Sequence, residues 1–219
     1  MIQEAYSSNF FWGKDIVISQ FENYIPSTHY NAVSGSVIGR FCEGPHGEIW
    51  IASDDGGLSC FNPKENHFIH FLPNKNKHSL SYHNVHGLCI DDNNLWIGTY
   101  SGHLNVMNLK NQQFKQYLSY NEKENTIDGS SCYSIFKDKD GQLWMGTMSG
   151  INLYNRKTDD FTRMKAIDAL IIDIDQDTNG NLWFCTQGKG VFKYNPSTQN
   201  AYLISVPRDT FTGNNSSIR

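Results

Sequence analysis

One short phrase built around tryptophan occurs four times in this chain. It reads Gly-Glu-Ile-Trp-Ile-Ala-Ser from Gly47, Asn-Leu-Trp-Ile-Gly-Thr from Asn94, Gly-Gln-Leu-Trp-Met-Gly-Thr from Gly141 and Gly-Asn-Leu-Trp-Phe-Cys-Thr from Gly180. A looser fifth copy includes Trp12, so the five tryptophans are used one per unit, 38, 46, 48 and 39 residues apart. Such a period is typical of repeat architectures.

The third unit shows what each repeat encodes. Apolar runs at 132–136, 143–147, 151–154 and 161–164 read as four strands, separated by residues such as Asp, Asn and Gly that favour turns. No segment has helical periodicity long enough to predict a helix. We therefore predict an all-β chain, a β-propeller of four-stranded antiparallel blades.

The repeats also predict blade boundaries. The ends are out of phase, because the first unit lacks an innermost strand and residues 216–219 resemble the opening of one. Two interpretations stay open: a fragment of a larger propeller, or a five-bladed ring whose last strand closes the first blade. The predicted units are an incomplete or degenerate blade (1–35), four blades (36–82, 83–130, 131–169 and 170–209) and a further or closing first strand (210–219).

The recurring tryptophan is predicted to be structural. A large rigid ring can fill the wedge between neighbouring sheets, and its N–H can find a backbone acceptor. The small residue two places later leaves room for the next blade. These positions are Trp12, Trp50, Trp96, Trp144 and Trp183, followed in the four clear units by Ala52, Gly98, Gly146 and Cys185.

Charge and composition exclude several classes of function. The net charge is −4 and there is no basic block, so nucleic acid is not an expected partner. No apolar run approaches the roughly 18–20 residues of a membrane span. Five cysteines is an odd number, and Cys42 and Cys89 occupy equivalent places in apolar runs, which favours small buried hydrophobes over a disulfide.

The full motif resembles the two-component regulator propeller repeat. Asp138–Thr147 carries the pattern Asp-x-x-Gly-x-Leu-Trp-x-Gly-Thr, Gly56-Gly57-Leu58 carries its second half, and Ser79-Leu80-Ser81 is similar to the family's inter-blade segments. The resemblance covers residues 36–209. It implies that the chain is the periplasmic sensor region of a bacterial hybrid two-component system in the inner membrane. Such a region is expected to recognise an oligosaccharide and to signal to a histidine kinase. This piece itself is expected not to be an enzyme, and the structural motif transfers no ligand residue.

Propeller geometry narrows the search for a binding face. The turn after each tryptophan is expected to share a face with the long links between blades, where binding residues accumulate. Aromatic, acidic and amide groups there suit a sugar, and a second propeller or a homodimer partner is the other expected occupant. The alternative is that these are ordinary solvated loop residues. The candidates are Tyr82, His83, Tyr100, His103, Gln187 and Lys189.

No metal or other cofactor is expected. Asp175–Gly180 matches the first half of a calcium loop, but Thr186 stands where the closing Glu is required, so a hairpin turn is the better interpretation. The pairs His67/His70 and His83/His86 have a spacing that points to opposite faces of a strand. Two other functions stay open: an enzyme similar to the streptogramin B lyases, and a protein-interaction scaffold. The enzyme would need a metal-supported acid/base pair, which His103 alone does not establish.

Overall fold

The computed structural model describes residues 24–25, 31–74, 76, 78–119, 125–164 and 167–204. Within these ranges the chain forms sixteen strands and no helix. The strands are β1 (Ile38–Glu43), β2 (Ile49–Ser53), β3 (Gly57–Asn62), β4 (His67–Phe71), β5 (Val85–Asp91), β6 (Asn94–Thr99), β7 (Leu104–Asn108), β8 (Phe114–Tyr117), β9 (Cys132–Lys137), β10 (Leu143–Thr147), β11 (Gly150–Asn155), β12 (Asp160–Met164), β13 (Ile171–Gln176), β14 (Leu182–Thr186), β15 (Gly190–Asn195) and β16 (Asn200–Ile204).

Consecutive strands pair into four antiparallel sheets of four strands each, in chain order. The first strands of the sheets lie side by side, with β5 between β1 and β9, and β9 between β5 and β13. This arrangement is a series of propeller blades around an axis lined by the first strands, which confirms the predicted fold class. The predictions for Trp12 and for residues 1–23 and 205–219 lie outside the described residues.

The repeated tryptophan packs between sheets. Trp50, Trp96 and Trp144 are 5%, 3% and 3% exposed, and each joins a hydrophobic cluster built mainly from the following sheet. Space for that sheet comes from the small residue two places later. A Cβ on Gly146 would lie 2.3 Å from Ser134 Oγ and 2.7 Å from Ile171 Cγ2, so close approach of the next first strand requires glycine there.

The tryptophan N–H groups are bound differently from the prediction. Asp138 Oδ2 accepts the Trp144 indole N–H at 2.7 Å, and Asp177 Oδ2 accepts that of Trp183 at 3.1 Å. The acceptor is therefore the carboxylate of the preceding turn and not a backbone carbonyl. Gly44 and Ile90 stand six residues before Trp50 and Trp96, where the other two units have this aspartate. The N–H groups of Trp50 and Trp96 have no partner among the described residues.

The link entering each blade is anchored by a buried apolar residue. Val33, Leu80, Ile127 and Ile167 are 5%, 1%, 1% and 3% exposed. A polar residue on the third strand holds the same links in the first three sheets. For example, the Asn105 amide donates to Ser81 Oγ at 2.7 Å and accepts the Ser81 backbone N–H at 3.0 Å. In the Ser79-Leu80-Ser81 segment, Leu80 thus packs in the core and Asn105 holds the neighbouring Ser81 by hydrogen bonds.

A buried ion cluster joins the second and third sheets, near the turn that precedes Trp96. Asp91 is 2% exposed and lies 2.7 Å from Lys137 Nζ, and its other oxygen contacts Arg156. Burial raises the pKa of Asp91, but hydrogen bonds from Arg156 and Lys137 outweigh that effect and the net pKa is below its usual value. These three charged residues therefore stabilise the contact between the second and third blades, in addition to the hydrophobic clusters.

The five cysteines are free thiols. Burial raises the pKa of Cys42 to about 12 and that of Cys89 to about 11, as expected for small groups packed in apolar surroundings. In the part of the chain that the structure describes, nothing has the length and hydropathy of a helix that could cross a bilayer.

The carboxylate of Asp138 is predicted to stabilise its blade. It accepts the Trp144 N–H and the backbone N–H groups of Asp140 and Gln142. Asp138→Ala leaves these donors without their acceptor, so we expect the free energy of unfolding in urea to fall by about 2 kcal/mol. The exposed neighbour provides the control, Asp140→Ala, which should change it by less than about 0.5 kcal/mol. Equal effects of the two variants would contradict this role.

The Asp91 cluster predicts a specific loss of stability in acid. Because the folded state lowers the pKa of this carboxyl, its contribution is present above an unfolded pKa of about 4 and is lost as pH falls through the folded value. Asp91→Asn should therefore destabilise the protein at pH 7, by about 2 kcal/mol, and the difference from wild type should shrink on going to pH 3. Asp92→Asn, in the adjoining turn, is the control. A difference that stays constant with pH would contradict the assignment.

Candidate functional site

The long links and the turns that follow each tryptophan meet on one face of the molecule. Backbone hydrogen bonds join them in every blade: Gly57 N–H to His83 O at 2.7 Å, Tyr100 N–H to Asn84 O at 3.0 Å, Met148 N–H to Ser131 O at 3.1 Å and Gln187 N–H to Leu170 O at 2.9 Å. This is the arrangement expected from the repeat, and we call this surface the link face. Fixed backbone geometry there gives its side chains defined positions.

Each first strand carries a β-bulge at the same place. The register of pairing with the second strand shifts by one residue in all four sheets. A bulge adds a residue to the inner strand and redirects its side chain, and bulges are common beside functional sites. The residues at these bulges are Gly39, His86, Tyr133 and Ile172.

Two bulge residues build a cluster with two residues of the turns. The His86 ring lies 4.9 Å from that of Tyr133 and 6.4 Å from that of Tyr100, and Tyr100 and Tyr133 are 6.4 Å apart at an interplanar angle of 71°. His86 Nδ1 lies 3.3 Å from Asp54 Oδ1. We call these four residues the bulge cluster; they come from the first, second and third blades.

The electrostatics of the bulge cluster favour neutral side chains beside one carboxylate. Burial lowers the pKa of His86, and the nearby Asp54 charge raises it only in part. Burial raises the pKa of Tyr133. Near neutral pH the cluster therefore offers an uncharged imidazole and a protonated phenol.

Tyr82 and His83 are also brought together, in the link between the first two blades. Their rings stack with centroids 4.5 Å apart and an interplanar angle of 27°. His83 precedes β5 and only His86 lies on that strand, so the premise that both histidines share a strand was wrong.

His103 has a role inside the protein. It adopts a positive φ of 62°, and its backbone N–H donates to Ser130 O at 2.9 Å. Nδ1 accepts the Ser119 N–H at 3.3 Å. Burial lowers the pKa of this imidazole, and a hydrogen bond with the Gly129 backbone partly opposes that effect. The His103 ring thereby joins its own turn, between β6 and β7, to both ends of the link between the second and third blades.

The other two candidates lie apart from this region, in the fourth blade. Gln187 and Lys189 are exposed in the turn between β14 and β15. Lys189 Nζ donates to the backbone carbonyl of Asp168 and lies 3.9 Å from its carboxylate. The structure thus gathers Tyr82, His83, Tyr100 and His103 around the second blade and leaves Gln187 and Lys189 at a different blade.

One ion pair crosses between the first and fourth blades. Arg40 on β1 donates to Asp173 Oδ1 on β13 at 2.7 Å. Because β5 and β9 lie between these strands along the arc, the pair spans the axis near the bulge residues. It adds two opposite charges to the first strands with no net charge.

The calcium-like turn binds its own backbone. Asp177 accepts N–H groups from Asn179 and Asn181 at 2.9 Å each, and the Trp183 indole as well. The Asn181 side-chain amide also donates to both carboxylate oxygens, and this contact, followed by those from Trp183 and the backbone, holds the pKa of Asp177 at about 2. Within the described ranges, no group of three or more His, Cys, Asp or Glu side chains could hold a metal ion.

A cavity of about 680 Å³ lies on the flank of the third blade. Its charged lining includes Arg163, which lies 3.7 Å from Asp128 and donates to Thr126 O at 2.9 Å. None of the predicted ligand residues lines it. Because the Arg163 guanidinium already binds groups of the protein, this cavity is a weaker candidate for a ligand site than the link face.

Sequence reasoning missed His86 and Tyr133 as members of a site. Their signal was their position: each follows the first residue of the first strand in its repeat, 47 residues apart. Asp54 was recognisable only as a turn residue, since its contact with His86 joins two blades.

Comparison with protein families identifies the repeat. The model for the two-component regulator propeller matches residues 79–101 and 126–149. A curated relative, named Histidine kinase P4, from Formosa agariphila, is 29% identical over 175 residues. That alignment covers 75% of this chain and 13% of the relative, so the chain spans a small part of the relative's length.

Solved structures share the fold at low sequence identity. The extracellular domain of a putative one-component system from B. thetaiotaomicron superposes with a TM-score of 0.63 at 21% identity, over 78% of this chain and 24% of that one. Virginiamycin B lyase from Staphylococcus aureus gives a TM-score of 0.59 at 18% identity, over 81% of this chain and 58% of the lyase. Together with the four sheets and the phased tryptophans, the matches identify this chain as a β-propeller that carries repeats similar to the two-component regulator propeller.

Proposed function

We propose that this chain is the ligand-sensing propeller region of a bacterial two-component regulatory system. In this proposal it lies in the periplasm, recognises an oligosaccharide on the link face and passes the signal to a histidine kinase. A second propeller or a second copy of the chain is the proposed docking partner, through which binding changes the relative populations of two arrangements.

The observation that carries the proposal is the chemistry of the link face. Exposed or half-buried aromatic rings (Tyr82, His83 and Tyr100) lie there on backbone fixed by hydrogen bonds, and the carboxylate of Asp54 contacts His86 on the same face. Rings stack on the apolar face of a sugar, and carboxylates accept its hydroxyl protons. The family match supports a regulatory setting, and the extracellular domains among the similar structures support a location outside the cytoplasm.

An enzyme has weaker support. The lyase fold is shared, but fold does not fix function. His103, the residue considered for such an enzyme, uses Nδ1 to accept a backbone N–H and is further engaged by the Gly129 backbone. A base in that position cannot readily take a substrate proton.

The proposal predicts stabilisation by one class of oligosaccharide. Plant and host oligosaccharides, screened singly against this chain, should include a class that raises its melting temperature. Calorimetric titration with that sugar should show binding weakened about tenfold by Tyr100→Ala, because a stacked ring contributes about 1 kcal/mol or more. Tyr202→Ala is the control, since Tyr202 is also exposed but lies on an outer strand.

Three outcomes would contradict the proposal. No melting shift with any sugar would remove the support for sensing within these blades. Sugar binding that survives Tyr100→Ala and responds to Tyr202→Ala would place the site off the link face. A stable complex with another protein and no sugar response would favour the scaffold instead.

A further inference from the structure

The bulge cluster places a carboxylate beside one ring nitrogen of His86. Asp54 is 3.3 Å from Nδ1 of His86, and a carboxylate can only accept a hydrogen bond. The negative charge beside Nδ1 therefore favours the tautomer of neutral His86 that carries its proton on Nδ1. Nε2 is then an acceptor, and it has no protein partner among the described residues.

The surroundings of His86 keep it oriented. Tyr133 from the next first strand and Tyr100 from the adjoining turn pack against the ring at 4.9 and 6.4 Å. The side chain keeps 22% of its surface exposed, so the ring is held by its neighbours and still reachable from solvent. The bulge at His86 places it where the first strands converge.

The charges around His86 are few. Asp54 faces it from the first blade, and Tyr100 and Tyr133 are the titratable groups that pack against it from the second and third. On the neighbouring first strands, Arg40 and Asp173 neutralise each other at 2.7 Å. The protonation of His86 therefore depends mainly on burial and on Asp54, and burial favours the neutral form.

We propose that the bulge cluster is the part of the link face that selects the ligand, with neutral His86 accepting a sugar hydroxyl at Nε2 while Tyr100 and Tyr133 contact the sugar ring. This inference rests on the proposed function and assigns the specificity of the same face. Protonation converts Nε2 from an acceptor to a donor. Ligand binding is therefore lost as pH falls through the pKa of His86.

The test measures affinity as a function of pH with the oligosaccharide that raises the melting temperature in the screen. For wild type, the dissociation constant should be constant near pH 7.5 and rise on acidification below the ordinary histidine pKa of about 6.5, since burial lowers the pKa of His86. His86→Gln should bind roughly tenfold more weakly at pH 7.5 and lose this pH dependence. His46→Gln, in an exposed turn of the opposite face, is the matched control and should behave as wild type.

A second variant separates a ligand contact from a structural role. Asp54 raises the pKa of His86, so Asp54→Asn should move the acid loss of binding to lower pH. NMR of the imidazole nitrogens in the chain without sugar should show the Nδ1–H tautomer in wild type, and the melting temperature of each variant confirms its fold.

The outcomes distinguish this inference from the function on which it rests. No binding of any sugar overturns both. Binding that is unchanged by His86→Gln, a pH profile that does not respond to Asp54→Asn, or an Nε2–H tautomer in wild type overturns the bulge-cluster assignment alone and leaves the sensing propeller in place.

Discussion

Trp50, Trp96 and Trp144 each pack against the sheet that follows, and the arrangement of the blades depends on this contact. The ring fills the wedge between two sheets, and a small residue two positions later lets the next first strand approach closely. Large rigid rings bury much apolar area at low cost in conformational entropy. The rest of each unit can vary because this contact is preserved.

The two faces of the propeller differ in how their segments are held. The face opposite the link face carries the tight turns, including the carboxylates that bind tryptophan N–H groups and the buried Asp91 cluster. The link face carries longer segments, each anchored by one buried apolar residue. The side chains beside that residue are therefore under fewer packing constraints. A scaffold that is rigid at one end can present different ligand groups at the other.

Local features of the fold could be predicted from the sequence because they depend on neighbouring residues. Strands β9 to β12 follow directly from apolar runs and turn residues, and the close approach at Gly146 follows from its place after Trp144. The bulges could not be predicted, since a register shift depends on pairing with a distant partner and not on residue type.

The bulge cluster was hidden for a related reason. His86 meets Asp54 and Tyr133 only because the sheets curve around the axis, which joins residues 32 and 47 positions away in the sequence. The Trp144 acceptor was mistaken because a backbone carbonyl and the Asp138 carboxylate are equally compatible with the sequence pattern.

The most direct test of the account is hydrogen exchange of the chain with and without a stabilising oligosaccharide, read by mass spectrometry. If the link face is the ligand face, added protection should be concentrated in residues 82–87, 99–104 and 131–134. The opposite turns, 44–48, 138–142 and 177–181, should exchange as before. Protection concentrated in those opposite turns would contradict the assignment of the ligand face.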